Sequence, residues 1–501
     1  MPRKSPSLAP LLMALTVLGL GIFIWVYESK RPTTDEANEQ RARLLPGLKP
    51  EWIERLHFHS PAHDYALARR TPAGSARKSE DLGDPGRIKW DLTAPLSARA
   101  ESGSAGALMD RLVELDVVRP VGQPAADQKV YGLDPPAGVI TLALAPDASS
   151  RNLPRAVELK IGGLTPFPGE RYLAGPGGAI VVIAGGLLEG FELDPATLRD
   201  RRLLDLESAE VEKIEISRDG KVTAALSRGK SRWEFTAPVA DWAAEGDADA
   251  LMNGLQFLNA EKFVDDAPVD LARYGLASPA AKVSFSTKTG TQWLEVGGDA
   301  AADPAASAPA ASPAPPPRAF RYARSSLSPA IVRVESGALE KLLAAAPIRR
   351  DPALLPLKPW VKLQFGDGPV FSLDGSGSDR KWRCTSAAKG KTVAQSLLSS
   401  RLETLQQLQA KDFGGILAGH EAEFGLDHPA HRLRLTGEDK TVLELKLGKA
   451  GPGGFWLALS GRPAALLIDA NAAAIFSGDG AEFLRDDPAA SAPKSSAAST
   501  H

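Results

Sequence analysis

Residues 90–136 open with Trp90-Asp-Leu-Thr-Ala-Pro95 and close with Tyr131-Gly-Leu-Asp-Pro-Pro136, and the chain writes this stretch three times. The second copy runs from Trp233-Glu-Phe-Thr-Ala-Pro238 to Tyr274-Gly-Leu-Ala-Ser-Pro279. The third runs from Trp382-Arg-Cys-Thr-Ser-Ala387 to Phe424-Gly-Leu-Asp-His-Pro429. The tryptophan and the later aromatic stand 41, 41 and 42 residues apart, and successive tryptophans 143 and 149 apart. Such a period far exceeds the roughly 20–50 residues of solenoid units. Each copy is therefore expected to be a domain with its own core, and 501 residues suffice for three.

Outward from the stretch, Ile88-Lys-Trp-Asp-Leu92 alternates as a half-buried strand, with Ile88, Trp90 and Leu92 on one face. Pro95 ends it, having no N–H to give a ladder. Upstream, Ile53-Glu-Arg-Leu-His-Phe-His59 is expected to pair with it as a hairpin. Ser104 is expected to cap a helix whose Leu108, Leu112 and Leu115 form one stripe. Residues 117–121 carry the chain off that helix. Gly132 is expected to adopt a backbone angle other residues resist. Strands follow at 139–144, 157–162, 171–174 and 179–183, and residues 187–206 read as partly helical, including 198–204.

The second copy follows the same order. Residues 211–216 pair with 232–235, Asp247 or Asp249 caps a helix striped by Leu251, Leu255 and Leu258, and strands follow at 282–285, 293–297 and 320–323. An Ala/Pro/Ser insertion at 299–317 reads as disordered. In the third copy Thr392 and Gln395 fit a capping box before Leu398, Leu402 and Leu405.

The N-terminus sets the compartment. Arg3 and Lys4 precede an uncharged run at 8–27, long enough to span a bilayer core of about 30 Å as a helix. Trp25 and Tyr27 suit the interface, and no small-x-small cleavage site follows. The run reads as an uncleaved anchor with the N-terminus inside.

The expected fold class is thus α+β: an N-terminal transmembrane helix followed by three tandem repeats of a mainly antiparallel-sheet domain with one or two helices each. The expected domains are the cytoplasmic N-terminus and anchor at 1–30, a linker at 31–50, repeats at 51–206, 207–356 and 357–487, and a disordered tail at 488–501. A net charge of −2 gives no support for nucleic-acid binding. The single cysteine, Cys384, excludes an intramolecular disulfide.

Candidate chemistry is sparse. His57, His59 and His63 are the best metal candidate, since a His-x-His pair on a strand shares one face. The other copies place Glu215 and Ser217, then Gln364 and Gly366, at the positions of His57 and His59, which favours a merely polar face. His420, His428 and His431 cluster near the third aromatic-Gly-Leu turn with no serine elbow to serve. Cys384 stands where Leu92 and Phe235 stand, a core-facing position. Arg199, Arg201, Arg202, Arg349 and Arg350 could meet phosphate or an acidic partner, but Asp200, Asp205 and Asp351 among them favour local ion pairs. Trp90, Trp233 and Trp382 read as core, while Trp52, Trp242 and Trp360 are less constrained and read as possible contact residues. The pairs Gly162-Gly163 and Gly185-Gly186, and residues 175–178, read as turns; none forms a phosphate loop.

The tryptophan strand, amphipathic helix and aromatic-Gly-Leu-x-x-Pro turn behind an N-terminal anchor resemble the bacterial family called domain of unknown function 4340. The matching residues are Trp90, Thr93, Pro95, Tyr131, Gly132, Leu133 and Pro136, with their counterparts in the second copy. The third copy departs at Ala387 and Phe424. The resemblance implies an envelope protein tethered by one helix, of a kind often encoded beside parts of ABC-type export systems similar to gliding-motility auxiliary components. It supplies no catalytic residues.

The expected function is accordingly non-enzymatic: a scaffold or accessory subunit of a membrane complex, such as an ABC-type transporter, on the inner membrane with the body outside the cytoplasm. Protein partners are expected and nucleic acid is not. No catalytic, cofactor-binding or metal residue is assigned, and no cofactor is expected. The alternatives are a module binding cell-wall glycan or exported polymer, and a metal-dependent hydrolase built on His57, His59 and His63.

Overall fold

The computed structural model describes residues 43–70, 88–121, 128–146, 153–230, 232–301, 319–356, 358–375, 379–386 and 391–486. The expected transmembrane helix at 8–27, the insertion beyond residue 301, the turn-rich stretch at 71–87 and the tail lie outside them. Among the described residues, no helix is long and apolar enough to cross a membrane. The chain divides into two compact units at Arg201/Arg202.

The first unit holds one sheet. Its strands are β1 (Ile53–His59), β2 (Asp64–Arg69), β3 (Trp90–Ala94), β4 (Ala98–Arg99), β5 (Val117–Pro120), β6 (Gly138–Leu144), β7 (Ala156–Leu164), β8 (Glu170–Ala174) and β9 (Ile180–Ala184). They hydrogen-bond in the order β4-β3-β2-β1-β6-β7-β8-β9-β5, with every pairing antiparallel.

The second unit holds two such sheets. The earlier has β10 (Lys213–Arg218), β11 (Lys221–Arg228), β12 (Trp233–Ala237), β13 (Asp241–Trp242), β14 (Lys262–Asp265), β15 (Ala281–Ser286), β16 (Thr291–Ala300), β17 (Phe320–Ser325) and β18 (Ser328–Glu335). Their order, β13-β12-β11-β10-β15-β16-β17-β18-β14, repeats the first strand for strand. The later has β19 (Trp360–Phe365), β20 (Val370–Asp374), β21 (Lys381–Cys384), β22 (Lys391–Val393), β23 (Asp412–Ile416), β24 (His431–Gly437), β25 (Val442–Gly451), β26 (Gly454–Leu459), β27 (Ala464–Asp469) and β28 (Leu484–Asp486). Its order β21-β20-β19-β24-β25-β26-β27-β23 keeps the plan except at one edge, where β22 leaves to pair with β28.

The threefold plan read from sequence therefore holds, but two pairings do not. The expected hairpin of β1 with β3 is interrupted by β2, and that of β10 with β12 by β11. In β2 only Tyr65 and Leu67 carry large apolar side chains inward, and its alanines hide the alternation. Residues 117–120 also form a strand, the sheet edge β5, rather than a mere exit from the helix.

Each repeat lays one long helix against its sheet: Ser102–Val113, Asp247–Gln256 and Gln395–Gln407. Of the expected stripes, Leu108, Leu112, Leu251, Leu255, Leu398 and Leu405 are buried on their helices, Leu402 is half-buried, and Leu115 and Leu258 are buried just past the helix ends. The caps are not. Glu101, not Ser104, caps the first helix, its carboxylate accepting from the Gly103 and Ser104 amides. Gly246 occupies the second N-cap, with Asp247 and Asp249 in the first turn. Ala394 occupies the third, because the Gln395 amide is taken by both backbone groups of Trp382, at 2.7 Å each.

Three cores result, each drawn from one repeat. Leu45 and Leu48, read as linker, are buried in the first. Residues 199–204 are not helical, and across them the core changes: Leu198 belongs to the first core while Leu203 and Leu204 belong to the second. Likewise Ile348 belongs to the second core, and Leu354 and Leu355 to the third. Each repeat is thus entered by a leucine-bearing segment whose amide meets the carbonyl just past the long helix: Leu44 to Leu115, Leu203 to Leu258, Leu354 to Leu408.

Candidate functional site

The aromatic-Gly-Leu turn is the most conspicuous shared feature, and its geometry is the same three times. Gly132, Gly275 and Gly425 have φ of 63°, 67° and 67°, a left-handed conformation that disfavours any side chain. Each also presses on a strand opposite. A Cβ on Gly132 would lie 2.7 Å from the Gly163 amide nitrogen, one on Gly275 2.6 Å from that of Gly298, and one on Gly425 2.8 Å from that of Lys449. The strand is bare in return. A Cβ on Gly162 would lie 2.5 Å from the Tyr131 carbonyl, and Gly297 and Gly448 face the Tyr274 and Phe424 carbonyls in the same way. Gly162-Gly163 is therefore no turn: it lies inside β7 at a register shift between Ile161 and Leu164.

The aromatic ring completes the latch. Tyr131 meets Tyr172, Tyr274 meets Tyr322 and Phe424 meets Trp456, edge to face, at 4.9, 5.1 and 5.0 Å between centroids. Tyr274 also donates to Asp265 at 2.9 Å, and that bond, more than burial, raises its pKa. The motif's defining groups are thus consumed by packing.

Two features involve residues by which the second repeat departs from the others. At the sheet edge, Asp241 accepts from Arg462 Nε at 2.5 Å and Nη2 at 3.2 Å, and from Arg350 Nε at 2.5 Å. Arg462 also donates to the carbonyls of Ala353 and Asp351. Trp242 lies under this cluster, packed against the third core, with the guanidinium carbons of Arg232 and Arg462 4.2 and 5.2 Å from its ring. In the first repeat Ala98 stands at the position of Asp241.

On the sheet, a groove of about 690 Å³ is lined by Trp293, Arg324, Ser325, Ser326 and Ser328, with Pro268 and Pro329 among its apolar residues. Beside it the buried Glu295 holds Arg324 Nε at 2.5 Å and Lys282 Nζ at 3.0 Å. Both cations lie near the Trp293 ring, at 5.2 Å for Lys282 and 5.5 Å for Arg324.

A family model described as Domain of unknown function (DUF4340) matches residues 90–268, 233–415 and 382–495. The chain belongs to this family. Each match opens on one of the three tryptophans, and the first two run on through the opening strands and long helix of the next repeat. The DUF4340 sequence unit is thus out of phase with the folded sheet. No curated protein and no solved structure matches the chain.

Within this DUF4340 chain the sequence candidates fall as follows. His57 and His59 share the exposed face of β1, with Asp64 between them: 2.7 Å to His57 Nε2 and 3.6 Å to His59 Nδ1. The His57 hydrogen bond, above all, lowers the Asp64 pKa. Sequence spacing missed Asp64 because β2 itself was missed. His63 sits in the connecting turn, where its amide donates to Ser60 Oγ. Among the described residues, no group of three or more His, Cys, Asp or Glu side chains is placed to hold a metal ion. His420 pairs with Glu423 at 2.7 Å, while His428 and His431 join neither of them.

Cys384 is half-buried against the third core. Arg349 pairs with Asp247 and Arg350 with Asp241, more distant partners than expected, while Arg202 takes the nearby Asp205. Arg199 is buried and Arg201 exposed. Trp90, Trp233 and Trp382 are buried, as expected. Trp360 is also buried, which removes it as a contact residue, while Trp52 and Trp242 pack against cores and are half-buried.

Proposed function

We propose that this DUF4340 protein is a non-enzymatic envelope scaffold, held on the inner membrane by residues 8–27 with its body outside the cytoplasm. There it serves as an accessory subunit of a membrane complex such as an ABC-type transporter. The observation that carries the reading is the fate of the shared residues. Tryptophan, aromatic, glycine and leucine are all spent on packing, three times over. What repetition then supplies is surface, and linked copies of a surface raise effective concentration for a partner that engages more than one.

The test is recovery from membranes. The full chain, tagged at its C-terminus and solubilised in mild detergent, is expected to co-purify with integral transport subunits. A tag accessible to protease from outside the cytoplasm would support the orientation. Recovery of the chain in the soluble fraction, or from membranes with no partner after cross-linking, would overturn the reading.

A further inference from the structure

The exposed sheet faces of the three repeats can be compared position by position through their registers. Glu158, Trp293 and Glu444 are equivalent, three residues before Ile161, Val296 and Leu447, whose following glycines meet the latch. Lys160, Glu295 and Lys446 are equivalent in the same way, as are Ala174, Arg324 and Ala458 on the next strand. The first and third repeats thus carry Glu, Lys and Ala, and each pairs its lysine with its glutamate, at 3.5 and 3.9 Å. The second carries Trp, Glu and Arg. Neighbouring positions on one face of one repeat break a pattern that the other two keep, and they lie at the groove.

The lining is rich in hydrogen-bond donors. Arg324 is fixed through Nε, and among the described residues its Nη1 and Nη2 take no hydrogen-bond partner. Ser325, Ser326 and Ser328 each accept a backbone N–H, from Leu327, Trp293 and Ala330. Among the described residues none of the three donates its own proton, so each O–H remains available. Two cations stand against one carboxylate. A guanidinium with its fork free suits a carboxylate bidentately, and the half-buried Trp293 offers an apolar plane. The volume lies within the ~300–1,000 Å³ usual for ligand sites.

We propose that this groove of the second repeat binds an acidic saccharide: a sugar ring packed on Trp293, its carboxylate on the Arg324 fork and its ring and hydroxyl oxygens on the serine O–H groups. An acceptor-rich ligand with an apolar ring face answers each part of this lining. The inference does not depend on the scaffold reading.

The test is calorimetric titration of the purified full chain with oligogalacturonate, with its carboxyl-reduced neutral counterpart, with oligoglutamate and with inorganic phosphate. Oligogalacturonate is expected to bind, and the neutral sugar and the acidic peptide to bind at least ~10-fold more weakly. Replacing Trp293→Glu, Glu295→Lys and Arg324→Ala together installs what the other repeats already carry, so the fold is expected to survive, with circular dichroism unchanged and binding lost. Arg324→Lys keeps the charge without the fork and is expected to weaken binding several-fold. Absence of oligogalacturonate binding, equal binding of the neutral sugar or of oligoglutamate, response to phosphate alone, or full binding by the triple variant would each overturn the proposal.

Discussion

Asp241, on the outermost strand of the second sheet, and Arg462, between two strands of the third, meet at 2.5 Å with both side chains wholly out of solvent. Burying two charges costs several kcal/mol each, and their attraction offsets this only when hydrogen bonds satisfy what remains. Here Arg350, two backbone carbonyls and the Trp242 ring do so. Asp241→Ala would leave two guanidinium groups facing each other without a carboxylate. It is expected to lower stability of the second unit by ~3–5 kcal/mol, read by urea unfolding. Asp241→Leu combined with Arg462→Met should cost less than Asp241→Ala alone, because no charge of that pair is left stranded.

The glycine latch predicts a position-specific intolerance. Gly275→Ala meets both a φ of 67° and the Gly298 amide, and Gly297→Ala meets the Tyr274 carbonyl. Each is expected to cost ~1–3 kcal/mol, the range of strained backbone positions. Gly254→Ala, in a helix and with open space at its Cβ, should be neutral or stabilising by up to ~1 kcal/mol. Thermal melts of the three variants check the ordering, and equal melting temperatures would count against the latch.

The repeat was legible because its latch residues are few, large and fixed in spacing. Tryptophan and glycine recur unchanged at the positions of Trp90 and Gly132, and the position of Tyr131 keeps an aromatic ring in every copy. The second strand of each sheet was harder to see, since Ala66 and Ala68 in β2 give weak alternation. The leucine-bearing entries were misassigned for another reason. Leu203 and Leu204 follow Leu198 so closely that nothing local marks the change of core between them. The groove was invisible to any search for shared residues, because it lies where Trp293, Glu295 and Arg324 depart from the repeat. Asp241 and Arg462, 221 residues apart, are joined only by the packing of the second and third repeats.

His420 and Glu423 supply a pH prediction. The hydrogen bond that the protonated His420 ring donates to the Glu423 carboxylate raises the His420 pKa above its ordinary 6.5. A raised histidine pKa means the folded chain holds that proton more tightly. The pair's contribution is therefore full below pH 6.5 and fades as pH rises through the folded value. Both side chains are exposed, so the effect on global stability is expected to be small. The cleaner measurement is an NMR titration of the His420 ring, expected to show a pKa above 6.5 that falls towards it in Glu423→Gln.

The entry segments give a sharper test of where each repeat begins. If the chain before β1 were only a spacer, truncating its leucines would change nothing. Leu45 and Leu48 are each 3% exposed and sit in the first core, while the Leu44 amide donates to the Leu115 carbonyl at 2.8 Å. Removing a buried leucine side chain costs ~2–5 kcal/mol through lost transfer energy and the cavity left behind. Leu45→Ala and Leu48→Ala in the full chain are each expected to destabilise the first unit on that scale. Leu354→Ala, at 0% exposure in the corresponding segment of the third repeat, should act equally on the second unit. Two resolved unfolding transitions, one moved by the first pair and the other by Leu354→Ala, would tie each leucine to the repeat that follows it. A response to Leu354→Ala alone would return residues 43–49 to the role of a tether.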